Sequence, residues 1–227
     1  MVVVGLVTLV ALLLAPTTAV PEGKIVINGP DFSSHLRISV GNGNVLVNGQ
    51  MTDNPEGCVI TEGHRAAVCP IAGAGGMEIV MGPADDKVQV EDPLPMPLLV
   101  RLGEGSDKFI GNDEPDTCYS EGSKRNRCIG AGGDDICITG QQNSDCVGGE
   151  GNDFCKHGAG SDGCWGGPGN DICEMGPGMD GCHGGPGADT LDGGPDPDQL
   201  YGEGGSDYCD GGPGVGRSHE CESGPGG

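Results

Sequence analysis

The chain has 227 residues, among them 47 Gly, 17 Pro and 12 Cys, but only 3 Phe, 3 Tyr and 1 Trp. Asp plus Glu number 34 against 11 Lys plus Arg, a formal net charge of −23. So little bulk argues against a conventional close-packed core, and low hydrophobicity with high net charge keeps a chain unfolded unless cations or cross-links supply the missing stability. The same charge argues against nucleic acid and anionic membranes as partners, since both select Lys/Arg patches. The glycines come in clusters rather than at every third residue, which excludes collagen.

Val2 to Ala15 is an apolar run, followed by Pro16, two threonines and Ala19. Residues 1–19 read as a secretory signal peptide with Thr17-x-Ala19 as the small cleavage pair, although no Lys or Arg precedes the run. About 14 residues fall short of the roughly 20 that a membrane span needs, so no membrane insertion is expected once the segment is removed. Twelve cysteines suit the oxidising compartment that export implies. The expected location is extracellular, free or associated with the cell surface.

Residues 20–101 form an N-terminal β-rich region. Short apolar or alternating runs (Ile25-Val26-Ile27, Leu36/Ile38/Val40, Val45/Val47, Ile79-Val80, Val88/Val90) are separated by Asn28-Gly29-Pro30 and Gly41-Asn42-Gly43-Asn44. That spacing predicts short strands and turns, with no helical periodicity of useful length. Cys58 and Cys69 flank one such segment and are expected to pair.

From residue 102 to residue 227 an internal repeat takes over. Cysteines stand at 128, 137, 146, 155, 164, 173 and 182, and Leu191, Leu200 and Cys209 continue the column. Two residues ahead runs a second column: Asp135, Ser144, Asp153, Asp162, Asp171, Asp180, Asp189, Asp198 and Asp207. Glycines lead each unit, as in Gly148-Gly149-Glu150-Gly151-Asn152-Asp153, Gly166-Gly167-Pro168-Gly169-Asn170-Asp171 and Gly184-Gly185-Pro186-Gly187-Ala188-Asp189. Weaker copies lie at Gly103–Phe109 and around Asp116/Cys118. The pattern is Gly-Gly-x-Gly-x-Asp-x-U-x, with U apolar.

This pattern resembles the RTX, or hemolysin-type, calcium-binding repeat. The residues themselves support the chemistry. Glycines allow successive carbonyls to face one spot, proline in third place keeps its carbonyl, and the sixth-place Asp adds a carboxylate. An all-oxygen set suits Ca²⁺ better than Mg²⁺, Zn²⁺ or Cu²⁺. Positions seven to nine form a short strand with its central residue inward. The expected fold is therefore all-β: a parallel β-roll, or β-solenoid, of nine-residue Gly/Asp-rich repeats, preceded by short β-strands.

The resemblance implies calcium between loops 18 residues apart, held by the sixth-place carboxylates and by carbonyls of the glycine positions. On one edge the pairs are Asp135/Asp153, Asp153/Asp171, Asp171/Asp189 and Asp189/Asp207. On the other they are Asp162/Asp180 and Asp180/Asp198. The main-chain ligands implied are Gly148, Gly149, Gly151, Gly166, Gly167, Gly169, Gly184, Gly185 and Gly187. Ser144, Asn126 and Gly216 depart from the pattern at their turns, and Asp196 and Glu203 replace turn glycines.

The inward position is Cys where such repeats usually carry a larger apolar residue, and disulfides are expected. Strand spacing of about 4.8 Å favours neighbours on one sheet (118–137, 128–146, 155–173, 164–182), with 209–221 closing the end. Parallel neighbours aim their side chains poorly at each other, so pairing across the core stays open. A thiolate metal site wants Cys-x₂-Cys or Cys/His clusters, and no two cysteines here are three apart. No nucleophile elbow, His-Glu-x-x-His, P-loop or dinucleotide fingerprint occurs, and no enzyme is expected. The reading is a secreted calcium-ion-binding repeat protein that folds on binding several Ca²⁺. The alternative is an extracellular structural or adhesive protein in which Ca²⁺ is only scaffold and an unidentified surface or matrix partner is bound.

Overall fold

The computed structural model describes residues 23–30, 34–51, 58–60, 66–72, 74–122, 124–214 and 216–221. Residues 1–19, expected from the sequence to be a signal peptide, lie outside the described residues. All regular structure among the described residues is strand, wound into a β-solenoid of about 8 turns. Alternate strands join alternate sheets. One sheet runs Gly23–Asn28, Ala74–Val80, Leu98–Arg101, Thr117–Ser120, Ile136–Thr139, Phe154–Lys156, Ile172–Glu174, Thr190–Asp192 and Tyr208–Asp210. The facing sheet includes His35–Gly41, Lys87–Val90, Lys108–Ile110, Asn126–Gly132, Ser144–Glu150, Gly163–Trp165, Gly181–Gly187, Gln199–Gly205 and Arg217–His219.

Register follows the inward column. Across the first sheet Ile27, Ile79, Val100, Cys118, Cys137, Cys155, Cys173, Leu191 and Cys209 are successive partners. Across the second the column is Leu36, Val88, Phe109, Cys128, Cys146, Cys164, Cys182 and Leu200. The sheets run unbroken across residues 101 and 102, where the sequence changes only in spacing. Between Leu36 and Val88 one turn carries an insertion: His35–Gly41 pairs antiparallel with Asn44–Asn48, and that strand with Ala66–Pro70. Asn42 and Gly43 both have positive φ (53° and 75°). That is the type I′ hairpin expected of Asn-Gly between two alternating runs.

The core changes character along the axis. Ile25, Ile27, Leu36, Ile38, Met77, Ile79, Leu98, Val100 and Phe109 fill the N-terminal turns. Beyond Phe109 the buried layer is mostly sulfur, with Leu191 and Leu200 the two leucines in the columns. Cys58–Cys69 and Cys209–Cys221 pair as expected. The neighbouring-strand pairs do not form; the bridges are Cys118–Cys128, Cys146–Cys155 and Cys164–Cys173, straight across the core. Facing Cα atoms there are 6.2–6.4 Å apart, against roughly 10 Å for sheets packed on ordinary side chains. With only Sγ between them the sheets close up, and facing cysteines point at each other while same-sheet neighbours point side by side. Cys137 and Cys182 remain free and buried.

The outer faces reuse the rung spacing. Trp165, His183, Tyr201 and His219 stack ring on ring, with planes within 3–12° and centroids 4.6–6.2 Å apart. Lys156 pairs with Glu174 one turn on.

Peptide mapping of unreduced protein is expected to recover the 146–155 and 164–173 bridges. Alkylation should label Cys137 and Cys182 only after the chain is unfolded. A 155–173 or 164–182 linkage would contradict the cross-core arrangement.

Candidate metal centre

The loops stack because their glycines let them. Gly167 and Gly169 have φ of 110° and 149°. A Cβ at either would strike the carbonyl of Gly149 or Gly151 in the turn before. With hydrogen there instead, consecutive loops come within hydrogen-bond reach. Gly149 N–H donates to the Gly166 carbonyl and Gly167 N–H to that of Gly184, both at 2.9 Å. Gly151 donates to Pro168 (2.9 Å) and Gly169 to Pro186 (3.0 Å). Third-place proline thus keeps the one group the stack uses, its carbonyl, and loses only an N–H the stack does not need.

On this frame the sixth-place aspartates form ladders, each buried to within a few per cent. Asp135 N–H donates to Asp153 Oδ1 (2.8 Å), Asp153 to Asp171 (2.7 Å), Asp171 to Asp189 (2.8 Å) and Asp189 to Asp207 (3.0 Å). On the opposite edge Ser144 donates to Asp162 (2.6 Å), Asp162 to Asp180 (2.7 Å) and Asp180 to Asp198 (2.9 Å). The structure therefore brings together every carboxylate pair that the resemblance implies.

One oxygen of each carboxylate is spent on the ladder. The other has no partner: Oδ2 of Asp135, Asp153, Asp162, Asp171, Asp180, Asp189, Asp198 and Asp207 is buried and accepts nothing. In the best-formed units it sits against the first-place glycine, in the space a Cβ on Gly148, Gly166 or Gly184 would take. A buried charged oxygen without a donor is costly, so it must gain a proton or a cation.

Burial is the leading cause that pushes up the carboxyls of Asp135, Asp153, Asp162, Asp171, Asp180, Asp189 and Asp198. Asp135 rises to about 8, Asp162 and Asp171 to about 7, and Asp153 and Asp198 to about 6. Asp180 and Asp189 are raised as well. The accepted backbone N–H opposes the rise, and like-charged rungs add to it, as Asp153 and Asp189 do for Asp171.

The donor set fits a hard dication of large, adaptable shell: bare carboxylate oxygens in file, beside main-chain carbonyls. It does not fit a soft metal. Sγ of Cys164, Cys173 and Cys182 lie within 4.8 Å of one another. Yet two of them are bonded to each other, and burial holds the Cys182 thiol well above its ordinary pKa, so no thiolate is on offer.

The ladders extend further than the nine-residue column. Asp86 N–H donates to Asp107 Oδ1 (2.7 Å), Asp107 to Asn126 Oδ1 (2.7 Å) and Asp116 to Asp135 Oδ1 (2.7 Å). Oδ2 of Asp86 and of Asp107 is also bare. Asp86 escapes a search by period because its turn is 21 residues long, not 18. The signal is Gly82-Pro83 three residues before Asp85-Asp86, a loop start without the repeat. Asp116 differs: Asn112 donates to its Oδ2 from both backbone (3.0 Å) and side chain (3.0 Å).

Two consequences are measurable. Asp171→Ala should remove the acceptor for the Asp153 N–H and cost about 1–3 kcal/mol in the ion-free protein. Asp171→Asn keeps an acceptor without the charge, so at pH 8 and without ions its melting temperature should exceed wild type. With calcium both variants should melt below wild type. The aspartates' raised folded-state values also set the pH dependence. Folded protein binds more protons than unfolded protein between about pH 4 and pH 8, so ion-free stability is greatest in acid and falls as pH rises through that window. Chemical denaturation of the oxidised, chelator-treated protein at pH 4, 6 and 8 checks the slope, and a rise with pH would refute it.

No curated protein and no solved structure matches the chain. A family model described as the RTX calcium-binding nonapeptide repeat, in 4 copies, matches residues 183–216. That stretch holds the turns of Asp189, Asp198 and Asp207, where the ladder and its bare oxygens are well formed. The match covers 34 of the 227 residues, and with the parallel β-solenoid it makes that stretch similar to RTX calcium-binding repeats.

Proposed function

We propose that the protein is exported and that it orders outside the cell by taking up several Ca²⁺ along its stacked loops. The observation that carries this reading is the file of buried Oδ2 atoms without a partner. At neutral pH, with no ion, those charges repel along the axis and resist burial. Bound calcium would supply the positive charge and the missing coordination. The residues that would hold it are Asp135, Asp153, Asp171, Asp189 and Asp207 on one edge and Asp162, Asp180 and Asp198 on the other, with the loop carbonyls beside them. The apolar run before residue 16 and the 5 disulfides support export.

Sites of this kind suit extracellular calcium, with Kd of about 10⁻⁴–10⁻³ M. An ion at about ten times its Kd adds ~1.4 kcal/mol per independent site to the folded state. The disulfides act on the other side of the balance by restricting the unfolded chain. They shorten the distance to be folded but leave the carboxylate repulsion in place.

The test is calorimetric calcium titration of the oxidised protein at pH 7.5, paired with far-UV circular dichroism. Calcium should bind with several equivalents and raise the β signal, and EGTA should reverse both. An oxidised protein that stayed fully wound and equally heat-resistant after exhaustive EGTA dialysis, with no ion retained, would overturn the proposal.

A further inference from the structure

The two edges of the roll are built differently. From Phe109 on, loops that pass from the second sheet to the first begin with Gly111, Gly130, Gly148, Gly166, Gly184 and Gly202; the loop before them leaves from Val90. Most loops that pass back begin instead with side chains: Met81, Leu102, Ser120, Thr139, His157 and Met175, all buried. Among the described residues the return loops that start with glycine are the first, at Gly29, and the last two, at Gly193 and Gly211.

The first place lies beside the bare carboxylate oxygen. A Cβ on Gly202 would fall 2.6 Å from Asp207 Oδ2, and on Gly130, Gly148, Gly166 and Gly184 it would fall closer still to the Oδ2 of their own aspartates. On the glycine edge, then, only a hydrogen atom flanks that oxygen. On the return edge a side chain starts from that place. These side chains also pack on one another along the axis. Thr139 Oγ1 and His157 Nδ1 are hydrogen-bonded at 2.9 Å, and Met81 covers Gly29 so closely that a Cβ there would lie 2.8 Å from its sulfur. His157 Nδ1 stands 4.0 Å from Asp162 Oδ1. The carboxylate file is broken on this edge as well, by Asn126 and Ser144, whereas the glycine edge runs from Asp116 to Asp207 without a gap.

We propose that the edges hold calcium with unequal strength: the glycine edge carries the tight sites, and first-place side chains make the return edge a packed ridge that holds the ion weakly. The proposal rests on calcium being the ion of the roll. Calcium takes six to eight oxygens in a roomy shell. A thioether or an imidazole offers it no oxygen and fills the room that a carbonyl or a water would use. Four pairs on the glycine edge present two bare oxygens each: Asp135/Asp153, Asp153/Asp171, Asp171/Asp189 and Asp189/Asp207. His157 and Met175 start the loops that carry Asp162 and Asp180, so the site between those two is the weakest.

Native mass spectrometry and calorimetry of the oxidised full-length protein, titrated with Ca²⁺ at pH 7.5, test this. Wild type should show a tight class and a class at least about tenfold weaker, the range over which ligand count and rigidity tune such sites. Asp171→Asn should remove ions from the tight class, and Asp180→Asn only from the weak one. The double variant His157→Gly/Met175→Gly should tighten the weak class and leave the tight class in number; if it does not fold, the two Asp→Asn variants decide. A single class of equal sites, loss of tight ions in Asp180→Asn, or weaker binding in the glycine variant would overturn the inequality of the edges while calcium binding stood. Wild type that bound no calcium would instead overturn the calcium reading itself.

Discussion

The structure depends on a bond that uses half of a carboxylate. Each sixth-place aspartate accepts the N–H of the equivalent residue one turn earlier with Oδ1, and this pins the loops at rung spacing. The same spacing aligns the strands, closes the backbone hydrogen bonds between loops and stacks the rings on the outer face. The half left over, Oδ2, is the source of the molecule's electrostatic tension. Burial raises the cost of charge there and the neighbouring rungs multiply it. The ladder that orders the loops therefore also creates the demand for a proton or a cation at each Oδ2.

The core answers a different shortage. The N-terminal turns bury branched and aromatic side chains in the ordinary way. Beyond Phe109 the chain has too few of them, and cysteine takes the inward place everywhere but at Leu191 and Leu200 among the paired strands' columns up to Cys209. A sulfur layer removes less apolar area from water than leucine would, so burial alone stabilises these turns weakly. Covalent bridges across the core compensate by limiting the unfolded chain. They depend in turn on the glycine-rich loops, since only a thin edge lets the sheets approach to 6.2–6.4 Å between facing Cα atoms. Loop, ladder and disulfide thus constrain one another.

Much of this was legible in the residues. The nine-residue period placed Asp153 to Asp207 in file and alternate strands on opposite sheets. The turn at Asn42-Gly43 and the Cys58–Cys69 and Cys209–Cys221 bridges followed from local spacing. The cross-core bridges did not. A rule for average sheet separation pointed to neighbours on one sheet, and the rule fails where the layer between sheets is one atom thick. Asp86 was hidden for another reason: its turn is longer than the repeat, yet the ladder reaches it, because what matters is stacking of the loop and not the count of residues around it.

The sequence by itself determined the period, the residue type at each place and hence the oxygen-rich chemistry of the loops, because those depend on local backbone freedom and on which atoms each residue carries. Only the tertiary structure decided which oxygen of each aspartate is spent and which is bare, which cysteines meet, and that the two edges differ in what lines them. Those are matters of distance between residues 9, 18 or more apart in the chain, and distance across a thin core depends on the volume of every side chain that lies between.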